Sequence, residues 1–311
     1  MSTAYFTHED CLSHVTPRGH PEQVARLEAI TAALSAPEFD TLDRREAPLG
    51  DDAPILRAHP QTYLDRIIKA EPATGFVSLD PDTHMSPGSV NAARRGVGGI
   101  VSATDAVLGG EVANAFVACR PPGHHAETQT AMGFCLFGNI AIAAKYALET
   151  HGLKRVTIVD FDVHHGNGTQ DLVWSDERIL FISSHQMPLY PGTGAPDERG
   201  AHDNVMNIPL DPETDGGHAR RVYDAMVYPR LRDFNPEMIF ISAGFDAHAA
   251  DPLAQLYWQT ADFAALTASL CDVAAELCGG RVVSTLEGGY DLTALADSVA
   301  AHVRVLMEKG S

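Results

Sequence analysis

No run of 18 apolar residues occurs anywhere in the 311-residue chain, so no segment reads as a membrane-spanning helix. Cysteine is sparse. Cys11, Cys119, Cys135, Cys271 and Cys278 are five in number, scattered, and never spaced C-x-x-C. That odd, unpatterned set fits a reducing compartment. Cys119 and Cys135 lie in apolar surroundings and read as small core residues, and Cys271 and Cys278, seven apart in a helical pattern, read as packing. The opening stretch MSTAYFTHEDCLSH has neither a basic nor an apolar targeting segment, so a cytoplasmic location is expected. Basic residues are few: 22 Lys and Arg stand against 41 Asp and Glu, a net charge of −19. Such a balance repels nucleic acid and anionic lipid, so neither is an expected partner. It serves solubility first, and second supplies a field that attracts cationic substrates. No internal repeat or low-complexity linker divides the chain, and one domain over 1–311 is the simplest division.

What is present is alternation. Short apolar runs at 115–119, 155–160, 179–184, 205–210, 238–242 and 282–286 are rich in Val, Ile and Phe and bounded by Gly, Pro or Asp, which predicts strands. Helical patterns fall at 21–34, 87–108, 136–150, 218–231, 260–278 and 292–306, the second opened by Ser86-Pro87, a pair suited to N-cap and N1. Alternation of this kind predicts an α/β domain with a mostly parallel central sheet flanked by helices on both faces. Ligand sites of such sheets lie beyond the carboxyl ends of the strands. Five polar clusters follow predicted strands there: RPPGHHAE, DFDVHHGNG, HQMPLYPGTG, AGFDAHAADP and EGGYDL. They are expected to converge on one rim.

In DFDVHHGNG, Asp160, Asp162 and His164 alternate with Phe161 and Val163. In extended chain the three polar residues share one face and the apolar pair anchors the other. Two buried carboxylates side by side repel unless a cation lies between them. Carboxylate and imidazole suit Zn²⁺, Fe²⁺, Mn²⁺ or Co²⁺, and Asp246 of SAGFDAH, at the end of another inner strand, is the third ligand candidate. The plain alternative is an acidic strand end that caps helices. His124 and His125 follow a Pro-Pro-Gly turn that can aim both rings at one site, and an imidazole there fits a general base. Such rings need orienting partners, for which Asp160 and Asn167 are candidates. Tyr290, after two glycines, can donate to a developing oxyanion, or merely pack before a helix.

Together, GHPEQVARLEAI, RPPGHHAE, GFCLFGNIAIAA, VDFDVHHGNGTQ, SSHQMPLYPGTG, ISAGFDAHAADPLA and LEGGYDL resemble the zinc-dependent histone deacetylase and acetylpolyamine amidohydrolase family, of the arginase–deacetylase fold. Asn167 and Glu-Gly-Gly-Tyr look more like its class II branch. The resemblance implies one catalytic Zn²⁺ on Asp162, His164 and Asp246. It implies His125 as general base, His124 as its electrostatic or acid partner, Asp160 and Asn167 behind them, and Tyr290 on the carbonyl. Phe134 and Tyr190 would wall an acyl-lysine tunnel, and the Gly133 carbonyl would accept the substrate amide N–H. Structural K⁺ is implied on the carbonyls of Asp160, Asp162 and His164 with Ser183, and a second near Val173. The implied activity is removal of acetyl or another short acyl group from acetyl-lysine or a related acylated amine.

Polyamine-specific relatives place an acid at the mouth. Leu253 stands where one of them has Glu, and Glu22 or Asp82 are the candidates to replace it. Asp82 could instead hold a peptide backbone. The long dimerisation insert of bacterial polyamine enzymes is missing, and oligomerisation stays open. A two-metal ureohydrolase would need more carboxylates than DVHHG and GFDAH provide. A non-catalytic acyl-lysine binder would be expected to lack Tyr290 or a histidine.

Overall fold

The computed structural model describes residues 1–310. Its strands are β1 (Thr3–Thr7), β2 (Asp43–Glu46), β3 (Val77–Ser78), β4 (His84–Met85), β5 (Asn114–Val117), β6 (Val156–Asp160), β7 (Ile179–Gln186), β8 (Val205–Leu210), β9 (Ile239–Ala243) and β10 (Val282–Leu286). Its α-helices are α1 (Val24–Ala33), α2 (Asp52–Ile55), α3 (Gln61–Ala70), α4 (Ser89–Leu108), α5 (Asn139–Thr150), α6 (Asn167–Val173), α7 (Gly216–Val222), α8 (Tyr228–Phe234), α9 (Thr260–Cys278) and α10 (Leu292–Gly310).

Eight strands form one sheet in the order β2-β1-β5-β10-β9-β6-β7-β8, and every neighbouring pair in it is parallel. β3 and β4 make a separate antiparallel pair. All residues of β5, β6, β9 and β10 are buried, because a parallel sheet covered on both faces has no wet side. The covering follows from crossover handedness. The chain moves one way along the sheet through α4, α5 and α6, and the opposite way through α1, through α7 and α8, and through α9. Right-handed crossovers then put the two sets on opposite faces. The packing agrees: α4 lies on α5, while α10 lies on α9 and α1. The larger core of aliphatic and aromatic side chains runs through both layers, and a smaller cluster gathers Tyr63, Leu64 and Ile67 of α3 with Ile55, Leu136 and Phe137. Among the described residues, no helix is long and apolar enough to cross a membrane.

Several boundaries depart from the sequence reading. The helix expected over 218–231 is α7, then a π-helical turn over Tyr223–Val227, then α8. Pro229 in the first turn of α8 has no N–H to give, and the wider turn absorbs the misfit. Ser86 does not cap α4. It forms a turn whose carbonyl accepts the Ser89 N–H, and α4 starts after Gly88, at φ +95°. The strands β1 and β2, the β3–β4 pair and the helix α3 were not anticipated.

Candidate active site

All five polar clusters lie at the carboxyl ends of β5, β6, β7, β9 and β10, and these five strands are consecutive in the sheet in the order β5-β10-β9-β6-β7. The local geometry of DFDVHHGNG differs from the extended chain expected. β6 stops at Asp160, and 162–164 bend. Carboxylates fold the bend. Asp160 Oδ1 accepts the Asp162 N–H (3.0 Å), and Asp162 Oδ1 accepts the His164 N–H (2.8 Å). This is the local side-chain-to-backbone turn that Asp favours. Phe161 and Val163 still anchor the bend in the core.

Asp162, His164 and Asp246 each offer a ligand atom within 4.8 Å of the others, and all three are buried. His164 Nδ1 is 3.1 Å from both Asp162 Oδ1 and Asp246 Oδ2. Backbone donors fix the remaining oxygens: Val163 N–H to Asp246 Oδ1 (3.0 Å) and Gly288 N–H to Asp162 Oδ2 (2.8 Å). A Cβ on Gly288 would stand 2.1 Å from Asp246 Oδ2, so only glycine lets the backbone come this close. Burial disfavours every charge here. It raises the Asp246 carboxyl, with Asp162 adding to the effect. It also works against a charged His164, yet the two carboxylates outweigh it and hold that imidazole up to about 10. A buried cluster of two carboxylates and one imidazole, with ligand atoms this close together, fits a divalent cation.

The paired histidines are splayed onto different partners. Their ring centroids are 4.0 Å apart. His124 Nδ1 pairs with Asp160 Oδ2 at 3.0 Å, and His125 Nδ1 with Asn167 Oδ1 at 2.7 Å. A carboxylate stabilises imidazolium and an amide oxygen does so less. Burial opposes charge on His124, but Asp162 and Asp160 overcome it and hold that ring well above the usual imidazole range. Burial, and then the charges of His124 and His164, push His125 well below it. Burial raises the Asp160 carboxyl to about 6 against the pull of His124.

Tyr290 is buried, and burial followed by Asp246 pushes its phenol well above the usual range. Its turn is tied at nearly every peptide. Asp251 Oδ2 accepts the Tyr290 N–H (2.7 Å), and Arg26 donates to the carbonyls of Gly289 and Glu287 (2.6 Å each) while its guanidinium lies 5.0 Å from the Tyr290 ring centroid. Phe134 packs edge-on to Tyr290 (5.9 Å) and His20 (4.7 Å). Tyr190, more than a third exposed, stands edge-on to His125 (5.2 Å). Gly133 has φ +54°, and a Cβ there would meet the His125 ring at 2.3 Å. Its carbonyl accepts the Cys135 S–H at 3.2 Å. Leu253, half-buried, is tethered to the same Asp251 through its N–H (3.0 Å). Ser183 lies in β7 beside Asp160. Its hydroxyl donates to His185 Nδ1 (2.9 Å), since His185 Nε2 must donate to the Gly194 carbonyl (3.0 Å).

Glu22 is not at the mouth. It is wholly buried, held by Arg120 through both oxygens and by Arg26 at 3.2 Å, and an acid locked in ion pairs cannot meet substrate. Asp82 is half-buried, and burial and then Asp80 raise its carboxyl. Residues that sequence reasoning passed over include Arg26, Asp251 and Glu287. The last is wholly buried, and burial raises its carboxyl to about 7. A charged residue directly after the strand Val282–Leu286 was the one available signal.

A model of the histone deacetylase domain matches residues 20–306. The histone deacetylase-like amidohydrolase of Pseudomonas aeruginosa is 41% identical over 93% of this chain and 81% of its own length. The probable deacetylase of Archaeoglobus fulgidus is 38% identical over 94% of this chain and 82% of its own. Among solved structures, the crystal structure of the HDA15 HD domain superposes with a TM-score of 0.93 at 33% identity, covering 99% of this chain and 89% of that one.

Proposed function

The chain belongs to the histone deacetylase family, and on that premise we propose that this hydrolase removes acetyl or another short acyl group from acetyl-lysine or a similar acylated amine, with zinc held by Asp162, His164 and Asp246. The single observation that carries the reading is the splayed imidazole pair. Two adjacent rings, one on a carboxylate and one on an amide, have opposite proton affinities, as a reaction that both takes and gives a proton needs.

A zinc ion bound there would supply Lewis acidity, activating water and polarising the acyl carbonyl. His125, kept neutral, accepts the proton of the attacking water. Tyr290 donates its O–H to the oxyanion that develops on the carbonyl oxygen. His124, held as imidazolium against Asp160, returns a proton to the departing amine. Phe134 and Tyr190 flank the linear aliphatic linker, and the Gly133 carbonyl accepts the amide N–H in place of the weak Cys135 thiol. The reading includes potassium on the carbonyls of Asp160, Asp162 and His164 with Ser183. Because the Ser183 hydroxyl donates its proton to His185, its lone pairs are free for a hard cation. The five buried, unpaired thiols support a reducing, cytoplasmic setting.

A second reading, acetylpolyamine deacetylation, is favoured by the carboxylates of Asp82, Asp80 and Glu127, which, after burial, help raise the Tyr190 phenol. Comparing kcat/KM for acetyl-lysine peptides, acetylputrescine, acetylspermidine and longer acyl-lysines under zinc decides between them. No turnover of any of these would overturn the proposal.

A further inference from the structure

Glu287 sits at the end of β10, between β5 and β9, and touches neither the proposed ligands nor the proposed substrate path. Its own N–H is used by the Ala243 carbonyl (2.9 Å). Its carboxylate reaches sideways. Oε2 accepts the N–H of Gly123 (2.7 Å) and of His124 (3.1 Å), and Oε1 accepts the Ser242 hydroxyl (3.2 Å). A wholly buried carboxylate is disfavoured unless donors surround it, and here three do. Two of the three are consecutive peptides of the histidine loop.

That loop has little other support on this side. Its far side is tied where the His124 carbonyl accepts the Thr169 N–H (3.0 Å). The His125 N–H meets only the Cys135 sulfur, at 3.5 Å. Adjacent residues in regular chain point their side chains apart, so sending two rings 4.0 Å from each other onto Asp160 and Asn167 requires an irregular, fixed backbone. Packing forbids its retreat: a Cβ on Gly123 would already lie 2.8 Å from the Asn139 nitrogen and the Phe137 carbonyl. We infer that Glu287 is a positioning residue: by accepting two consecutive N–H groups of the loop, it sets the splay of His124 and His125.

The position of its oxygens matters here more than its charge, and two variants separate these. Glu287→Gln keeps an oxygen that accepts both N–H groups and turns its NH₂ to the Ser242 oxygen. Glu287→Asp keeps the charge but withdraws the oxygens by one methylene, about 1.5 Å from where the loop needs them. Misplacement of a reacting group by about 1 Å costs on the order of 10² in rate. The kinetic arm rests on the acyl-amide reading and uses an acetyl-lysine peptide with the zinc-loaded enzyme. Glu287→Asp is expected to lose about 10² in kcat with little change in KM, and Glu287→Gln to retain at least about a tenth of wild-type kcat. The structural arm is independent of any substrate. Ring-nitrogen NMR of the metal-free protein is expected to show the His124–Asp160 and His125–Asn167 hydrogen bonds kept in Glu287→Gln and lost in Glu287→Asp. The reverse order, with Asp active and Gln dead, would assign Glu287 an electrostatic role and overturn the inference. So would unchanged ring signals in both variants, whatever the enzyme hydrolyses.

Discussion

His302 lies in α10 beneath the rim, wholly buried, with Phe116, Phe161 and Phe245 at ring-centroid distances of 5.4, 6.1 and 5.8 Å. Phe161 and Phe245 are the apolar neighbours of Asp162 and Asp246, so this histidine braces the floor of the candidate metal site. Its tautomer follows from its partners. Thr267 donates its hydroxyl to the Phe263 carbonyl and so accepts from His302 Nδ1–H (2.7 Å), which leaves Nε2 to accept from Ser284 (2.9 Å). Both nitrogens are satisfied only in the neutral ring, and burial depresses its pKa from 6.5 to about 3. A base with a depressed folded pKa contributes its stability above the unfolded value and loses it as pH falls toward the folded one. At pH 5, about 1.5 units below 6.5, protonation of the unfolded chain weakens folding by about 2 kcal/mol, whereas at pH 7.5 the effect is near zero. His302→Gln removes the titration. Urea unfolding of wild type and variant at both pH values isolates the effect, because packing losses cancel. The stability gap is expected to narrow by about 2 kcal/mol on going from pH 7.5 to pH 5. A gap independent of pH would refute the reasoning.

Other outcomes follow from the same geometry. Tyr290→Phe deletes the proposed oxyanion donor, so kcat on acetyl-lysine is expected to fall about 10²–10³-fold with metal content unchanged. A trifluoroacetyl substrate should lose less, and equal small losses on both would remove Tyr290 from the catalytic set. Phe134→Ala removes the proposed tunnel wall, an apolar contact that ground and transition states would share, so KM should rise about 10-fold, with a smaller change in kcat, in steady-state kinetics. Glu22→Ala strands Arg120 and Arg26 without their carboxylate and should lower urea stability by about 3–5 kcal/mol; an unchanged midpoint would show that the cluster is not needed.

The parts legible in the sequence were those with short-range spacing. The D-x-D-x-H run announced its cluster, though the carboxylates converge through turns rather than along a strand. Hydrophobic runs located the inner strands, because burial on both faces leaves only apolar choices. β2 reads Asp-Arg-Arg-Glu and lies at the sheet edge, so no apolar pattern marked it. β1 is five residues long and carried too little periodicity. The Glu287 partnership spans 163 residues to His124, and Asp251 lies 39 from Tyr290. Contacts of this range leave no spacing signal. Glu22 was misplaced for a related reason: Arg120, which holds both its oxygens, is 98 residues away, and its near partner Arg26, four residues on, has the spacing of an ordinary surface helix pair.

The central claim is amide hydrolysis that depends on a metal at Asp162, His164 and Asp246, and acetate release measured against bound metal tests it most directly. Protein stripped with a chelator and reloaded stepwise with zinc is assayed on an acetyl-lysine peptide, beside Asp162→Ala and Asp246→Ala, with metal content from elemental analysis. Turnover is expected to rise in proportion to occupancy and to reach its limit near one equivalent. Each variant is expected to lose bound metal and activity together, because a three-ligand site cannot spare an anion. Full zinc occupancy in either variant, or acetate release undiminished in stripped protein, would contradict the account.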